Sequence, residues 1–157
     1  MKKMRAMRMT TAGPFLICLA LMSCQTEGQG TDTQPPEEDA ALMGSWLLLQ
    51  INRGGEDIDL DHLEGAIREI GERTYSITPM KGTTITGKYT IDPEARPRTI
   101  EMLVDNGRFE GETLKGIYRV KGDRLTISFG GPDQDRPEAF ESRPGTQFTV
   151  AIHKKVE

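Results

Sequence analysis

From Ser45 onward, apolar residues recur at every second position in short runs, and this period of two limits the fold more than any other feature of the chain. Tyr75 and Ile77 alternate with polar residues. So do Ile85, Tyr89 and Ile91, with Gly87 between them; Ile100, Met102 and Val104; Leu114, Tyr118 and Val120; Leu125, Ile127 and Phe129; and Phe148, Val150 and Ile152. A further run opens with Trp46 and continues through Leu47, Leu48 and Leu49. The breaks carry turn residues: Gly54-Gly55, Pro79-Met80-Lys81-Gly82, Asp105-Asn106-Gly107 and Lys121-Gly122-Asp123. Short alternating strands at such spacing predict an all-β fold, an antiparallel barrel or sandwich with one face buried. On that alternation His153 shares a face with Gln147 and Thr149, opposite Phe148, Val150 and Ile152, and is expected to point to water.

Residues 59–70 break the rule. Leu60, Leu63, Ile67 and Ile70 recur at helical spacing behind Asp59, which can cap a helix N-terminus. Ile67 to Ile70 reads equally well as a strand turned by Gly71-Glu72. A short helix and a strand both stay open for this stretch.

The first forty residues carry an address. Lys2, Lys3, Arg5 and Arg8 precede the apolar run Phe15 to Met22, and no acidic residue occurs before Glu27. A stable bilayer span needs about twenty apolar residues, so the run is too short to cross as a helix and fits the core of a secretory signal. It ends in Leu21-Met22-Ser23-Cys24, the pattern of a bacterial lipobox, with Met22 larger than is usual there. Cleavage before Cys24 and attachment of diacylglycerol to its thiol are therefore expected. Cys18 leaves with the signal at 1–23, so Cys24 is the one cysteine of the mature chain and no internal disulfide can form. Residues 24–40 shift to Gln, Thr, Gly, Pro and acids; a segment so poor in apolar side chains is expected to stay a disordered tether. Gln25, in place of an aspartate, favours the outer over the inner membrane of the cell envelope. The globular part is then 41–157, long enough for one domain.

Residues 1–23 hold four of the 20 basic residues and none of the 24 acidic ones, which leaves the mature chain 16 basic against 24 acidic. That balance, with no basic cluster interleaved with aromatics, argues against nucleic acid as a partner.

Gly87-Lys88-Tyr89-Thr90-Ile91 and Gly116-Ile117-Tyr118-Arg119-Val120 echo each other as G-x-Y-x-[IV]. Two strands meeting the same geometry account for the echo, glycine relieving a tight bend beside a tyrosine. Leu42-Met43-Gly44-Ser45-Trp46 is similar to the opening of lipocalin-like barrels. The longer ordered series is Gly44 and Trp46; Gly87, Tyr89, Ile91 and Asp92; Pro97 and Ile100; Gly116-Ile117-Tyr118 with Gly122-Asp123; and Arg136-Pro137 with Phe140. It resembles an uncharacterised domain family described from planctomycetes and covers nearly the whole mature domain. The resemblance implies a lipocalin-like antiparallel β-barrel of seven to eight strands. It further implies that Trp46 closes one end of the barrel, with a distant arginine packed across its indole. Arg136 is the candidate for that arginine, and Gly44, Pro137 and Phe140 are expected beside it in structural roles.

Other local patterns lack the context their chemistry needs. Gly82 to Lys88 matches a phosphate-binding loop until Tyr89 stands where a magnesium-binding hydroxyl belongs, and it continues as an alternating strand rather than a helix. Asp57, Asp59 and Asp61 resemble the start of a calcium loop, but His62 replaces the required glycine and Arg68 the bidentate glutamate. The two histidines, His62 and His153, lie far apart, and neither Ser45 nor Ser128 sits in a nucleophile elbow. No catalytic residue, metal ligand or cofactor is assigned. The expectation is a non-catalytic binding or scaffold domain that meets an envelope protein, a glycan or a small apolar ligand. The alternative is an envelope enzyme whose site no sequence motif reveals. The large alternating residues predict an interior mostly filled by side chains, with a shallow apolar mouth at most.

Overall fold

The computed structural model describes residues 37–59 and 65–156. The expected signal, Cys24 and the tether as far as residue 36 lie outside the described residues, as do Leu60, Asp61, His62 and Leu63. Helix α1 (Glu37–Leu42) begins inside the stretch expected to be tether, so ordered structure starts before Ala41.

The strands are β1 (Gly44–Arg53), β2 (Glu56–Asp57), β3 (Ile67–Ile70), β4 (Thr74–Thr78), β5 (Ile85–Asp92), β6 (Thr99–Val104), β7 (Thr113–Lys121), β8 (Arg124–Phe129) and β9 (Thr149–Lys155). Ile67–Ile70 is thus a strand and not a helical turn, because its backbone groups pair with β1 on one side and β4 on the other. From β3 to β9 each strand pairs antiparallel with the next, and β9 returns to pair with β1. The protein is therefore a closed eight-stranded antiparallel β-barrel with one short extra strand, β2, in a hairpin on the end of β1. Closure leaves the long strands without an open edge.

A bulge in β1 resolves the ambiguous Leu47-Leu48-Leu49 run. The register against β9 shifts between Leu48 and Gln50. Trp46 and Leu48 point inward before the shift, Leu49 is 40% exposed, and Ile51 and Arg53 line the interior after it. One extra residue has inverted the strand's phase.

One half of the barrel is filled. Leu42, Trp46, Leu125 and Ile127 are fully buried there, packed with Ile70, Tyr89, Ile100 and Tyr118. The Trp46 indole N–H donates to the Leu42 carbonyl over 2.8 Å, tying α1 across this end as a plug. Gly44 enters β1 at φ 120°, a region that L side chains rarely adopt. The Tyr89 hydroxyl donates to the Gly71 carbonyl at 2.6 Å.

The glycines of the G-x-Y echo answer to neighbouring strands more than to their own tyrosines. A Cβ on Gly87 would collide with the Leu103 carbonyl and lie 2.6 Å from the ring of Tyr75, its cross-strand partner. A Cβ on Gly116 would lie 2.6 Å from the Ser128 carbonyl oxygen. Neighbours occupy the space each glycine vacates, the aromatic-over-glycine device of curved sheets.

Residues 130–148, between β8 and β9, form a strap over the outer surface. Arg136 donates from Nε to the Gly116 carbonyl (3.1 Å) and from a terminal nitrogen to Glu101 (2.7 Å), while Arg119 of β7 lies 4.6 Å from the centroid of the Phe140 ring. Beneath the strap, Ile117, Ser128 and Val150 are buried although they point away from the barrel interior.

Candidate functional site: a cavity with a buried cation

Beyond the plug the interior is open. A cavity of about 300 Å³ occupies the other half of the barrel, walled by Leu48, Ala66, Ile77, Val104, Leu114 and Ala151. The expectation of a shallow mouth is corrected: Trp46, Tyr89 and Tyr118 fill the plugged end, while in the other half Ala66 and Ala151 leave room beside Tyr75, Met102 and Phe129. The mouth is framed by the end of β1, the β6–β7 loop and the end of β8, through Arg53, Arg108, Phe109 and Phe129. Asn106 braces this rim, accepting from the Thr86 N–H (2.8 Å) and donating to the Thr84 carbonyl (2.9 Å).

Besides the rim residues and Tyr75, two buried polar side chains, Arg68 and His153, line the cavity. Arg68, on β3, is 5% exposed and sits in register with Trp46, at the boundary between plug and cavity. One terminal nitrogen lies 3.7 Å from Met102 Sδ, a weak acceptor, and the guanidinium carbon is 5.8 Å from the Tyr75 ring centroid. Its Nε–H has no hydrogen-bond partner, and no carboxylate among the described residues pairs with it. Burial lowers its pKa to about 10, so it keeps its charge at neutral pH. The same burial raises the pKa of the Tyr75 phenol; the Arg68 charge opposes that shift and Asp105 adds to it.

His153, on β9, is 2% exposed and also lines the cavity, which overturns the expectation that it points to water. It does share a face with Thr149, but that face is the interior. The strap buries Val150 on the opposite face, so both sides of β9 are apolar enough to mislead an alternation pattern. Burial, and then the nearby Arg68 charge, push the imidazole pKa down to about 3, against a smaller upward effect from a hydrogen bond with the Leu125 backbone. The ring is neutral, and its Nδ1 has no partner.

A pH prediction follows. A base whose folded pKa lies below its unfolded value of 6.5 favours folding fully above pH 6.5 and loses that contribution as pH falls toward 3. Stability should fall between pH 6.5 and 5, by at most about 1.4 kcal/mol per pH unit. Carboxylates begin to protonate toward the lower end of that window, so the His153 contribution is the difference between wild type and a variant without the imidazole. Urea unfolding of wild type and His153→Gln at pH 7, 6 and 5 checks this, and equal slopes for the two proteins would remove the assignment.

The residues singled out from sequence occupy two other places. Gly44 and Trp46 stand at the plugged end. Arg136, Pro137 and Phe140 lie on the outer strap, and Arg136 does not reach Trp46; Lys155 stands over the indole instead, Nζ 5.2 Å from the ring centroid. Cys24 lies outside the described residues. Gly82 to Lys88 turns from β4 into β5, with no helix N-terminus following. Asp57 accepts from the amides of Gln50 (2.9 Å) and Asn52 (3.1 Å), which lower its pKa and give it a hairpin role. The sequence did carry one sign of the cavity: read as a strand, Ala66, Arg68 and Ile70 share one face, a cation between two apolar residues.

No family model matches the chain, and neither curated proteins nor solved structures yield a match.

Proposed function

We propose that this chain is a lipid-anchored protein of the bacterial cell envelope whose barrel binds a small apolar molecule without transforming it. The observation that carries the reading is the cavity of about 300 Å³ at one end of a barrel plugged at the other. Ligand sites are mostly apolar concavities with a few placed polar groups, and this cavity has apolar walls with Arg68 and His153 among them. At about 30 Å³ for each unit the size of a water molecule, its volume corresponds to roughly ten such units, which points to small ligands. Of the three partners expected from sequence, a small apolar ligand fits this site better than a protein or a glycan. Membership in the planctomycete domain family belongs to the same proposal, supported by Gly44 and Trp46 at the plugged entry to β1 and by Gly87 and Gly116 at points of close strand approach.

Titration with a fluorescent medium-chain lipid analogue tests the binding function. Saturable one-to-one binding is expected, and it should be lost when Ala151→Trp fills the cavity; absence of saturable binding in the wild type would defeat the proposal. The anchor is tested separately. Cys24→Ser should abolish incorporation of radiolabelled palmitate, and continued labelling of that variant would refute lipidation at Cys24. Fractionation of the wild type should place it in the outer membrane.

A further inference from the structure

We propose that the cavity selects a medium-chain monocarboxylate, with the carboxylate seated against Arg68 and the alkyl chain running toward the mouth. This rests on the ligand-binding reading above and names the ligand's head group. Arg68 is 5% exposed, has a methionine sulfur as its one hydrogen-bond acceptor among the described residues, and keeps a buried Nε–H without a partner, a costly arrangement in an apolar interior. A carboxylate supplies the missing acceptors, two parallel N–H···O bonds matching the planar fork, and the low dielectric of the cavity strengthens them.

The charge count selects among anions. His153 lines the same cavity uncharged, so Arg68 is the one buried positive charge among the described lining residues, the other two arginines standing exposed at the rim. A singly charged head is neutralised by it, whereas a phosphate dianion keeps an excess charge that must be desolvated. Leu48, Ile77, Val104 and Leu114 give a chain that follows the head an apolar wall, with Asn106 and the two exposed arginines at the rim. At the rim stand Arg53 and Arg108, both exposed, in a chain whose net charge is −4. A cationic entrance on an acidic molecule draws anions to the mouth.

Decanoate, decanol and decyl phosphate, each titrated calorimetrically into the purified full chain below its aggregation concentration, test the assignment. Decanoate should bind at least tenfold more tightly than either of the others. Arg68→Met should weaken decanoate at least tenfold while decanol binds as well as before or better, which also shows that the variant is folded. Arg68→Lys, which keeps the charge and loses the planar fork, should fall between the two. Decanol binding wild type as tightly as decanoate, or Arg68→Met leaving decanoate unchanged, overturns the head-group assignment while the binding function stands. Decyl phosphate binding most tightly overturns the carboxylate in favour of a phosphate. Failure of all three compounds to bind defeats the binding function itself.

Discussion

Replacing Arg68 with methionine should make the unliganded domain more stable, by about 1–4 kcal/mol if it follows the range seen when buried ion pairs or triads give way to apolar residues of similar volume. The direction follows from what surrounds the side chain. Arg68 is buried and charged and has no carboxylate partner among the described residues, so its desolvation is offset only by a sulfur contact and a distant aromatic face. Methionine keeps an unbranched stem against Met102 and removes the charge. Chemical denaturation should show a higher midpoint with an unchanged denaturant slope. The same substitution removes the Arg68 contribution to the depressed His153 pKa, so the imidazole should titrate at higher pH in the variant. A loss of stability in Arg68→Met would mean that the guanidinium is satisfied in the empty barrel. A residue that weakens the fold it sits in is a common mark of a site held for function.

Trp46→Ala should act in the opposite direction and about as strongly. The indole is fully buried, packs with Leu42 and donates to the Leu42 carbonyl, so truncation leaves a large void and an orphaned acceptor. A cost of about 3–5 kcal/mol is expected, a large part of the 5–15 kcal/mol that holds an ordinary domain together. Urea unfolding monitored by far-ultraviolet circular dichroism measures it. A cost below about 1 kcal/mol would show that the plug contributes little. The loss should include unlatching of α1, so the amides of Ala41 and Leu42 should lose hydrogen-exchange protection before the strands do.

How much of this was legible in the chain can be argued residue by residue. The alternation at Tyr75, Tyr89, Met102 and Tyr118 marked inward positions correctly, because those strands have one wet face and one dry one. The rule failed on β9, where the strap dries the outer face too and a period of two cannot say which buried side is the interior. It was silent on β1, where the bulge changes the phase midway. Trp46 lies fully buried at the plugged end, hydrogen-bonded to the Leu42 carbonyl. Its cation is Lys155, two residues after His153 on the strand that pairs with β1, and not the sequence-distant Arg136. The cavity escaped notice for a different reason. Its volume depends on where along the barrel the large side chains fall, and that is decided by strand stagger, which no single run of residues records.

The plug and the mouth stand at opposite poles, and the chain enters by the plugged one. Helix α1 leads into β1 beside Trp46, and the C-terminal strand leaves there too, the Val156 N–H donating to the Ser45 carbonyl at 2.8 Å. A handle placed ahead of Glu37, such as the anchor proposed at Cys24, would therefore join the barrel through α1, at the pole that has no opening. On the proposed binding function, cargo would be traded through the opposite pole, and handle and doorway would not compete for one surface.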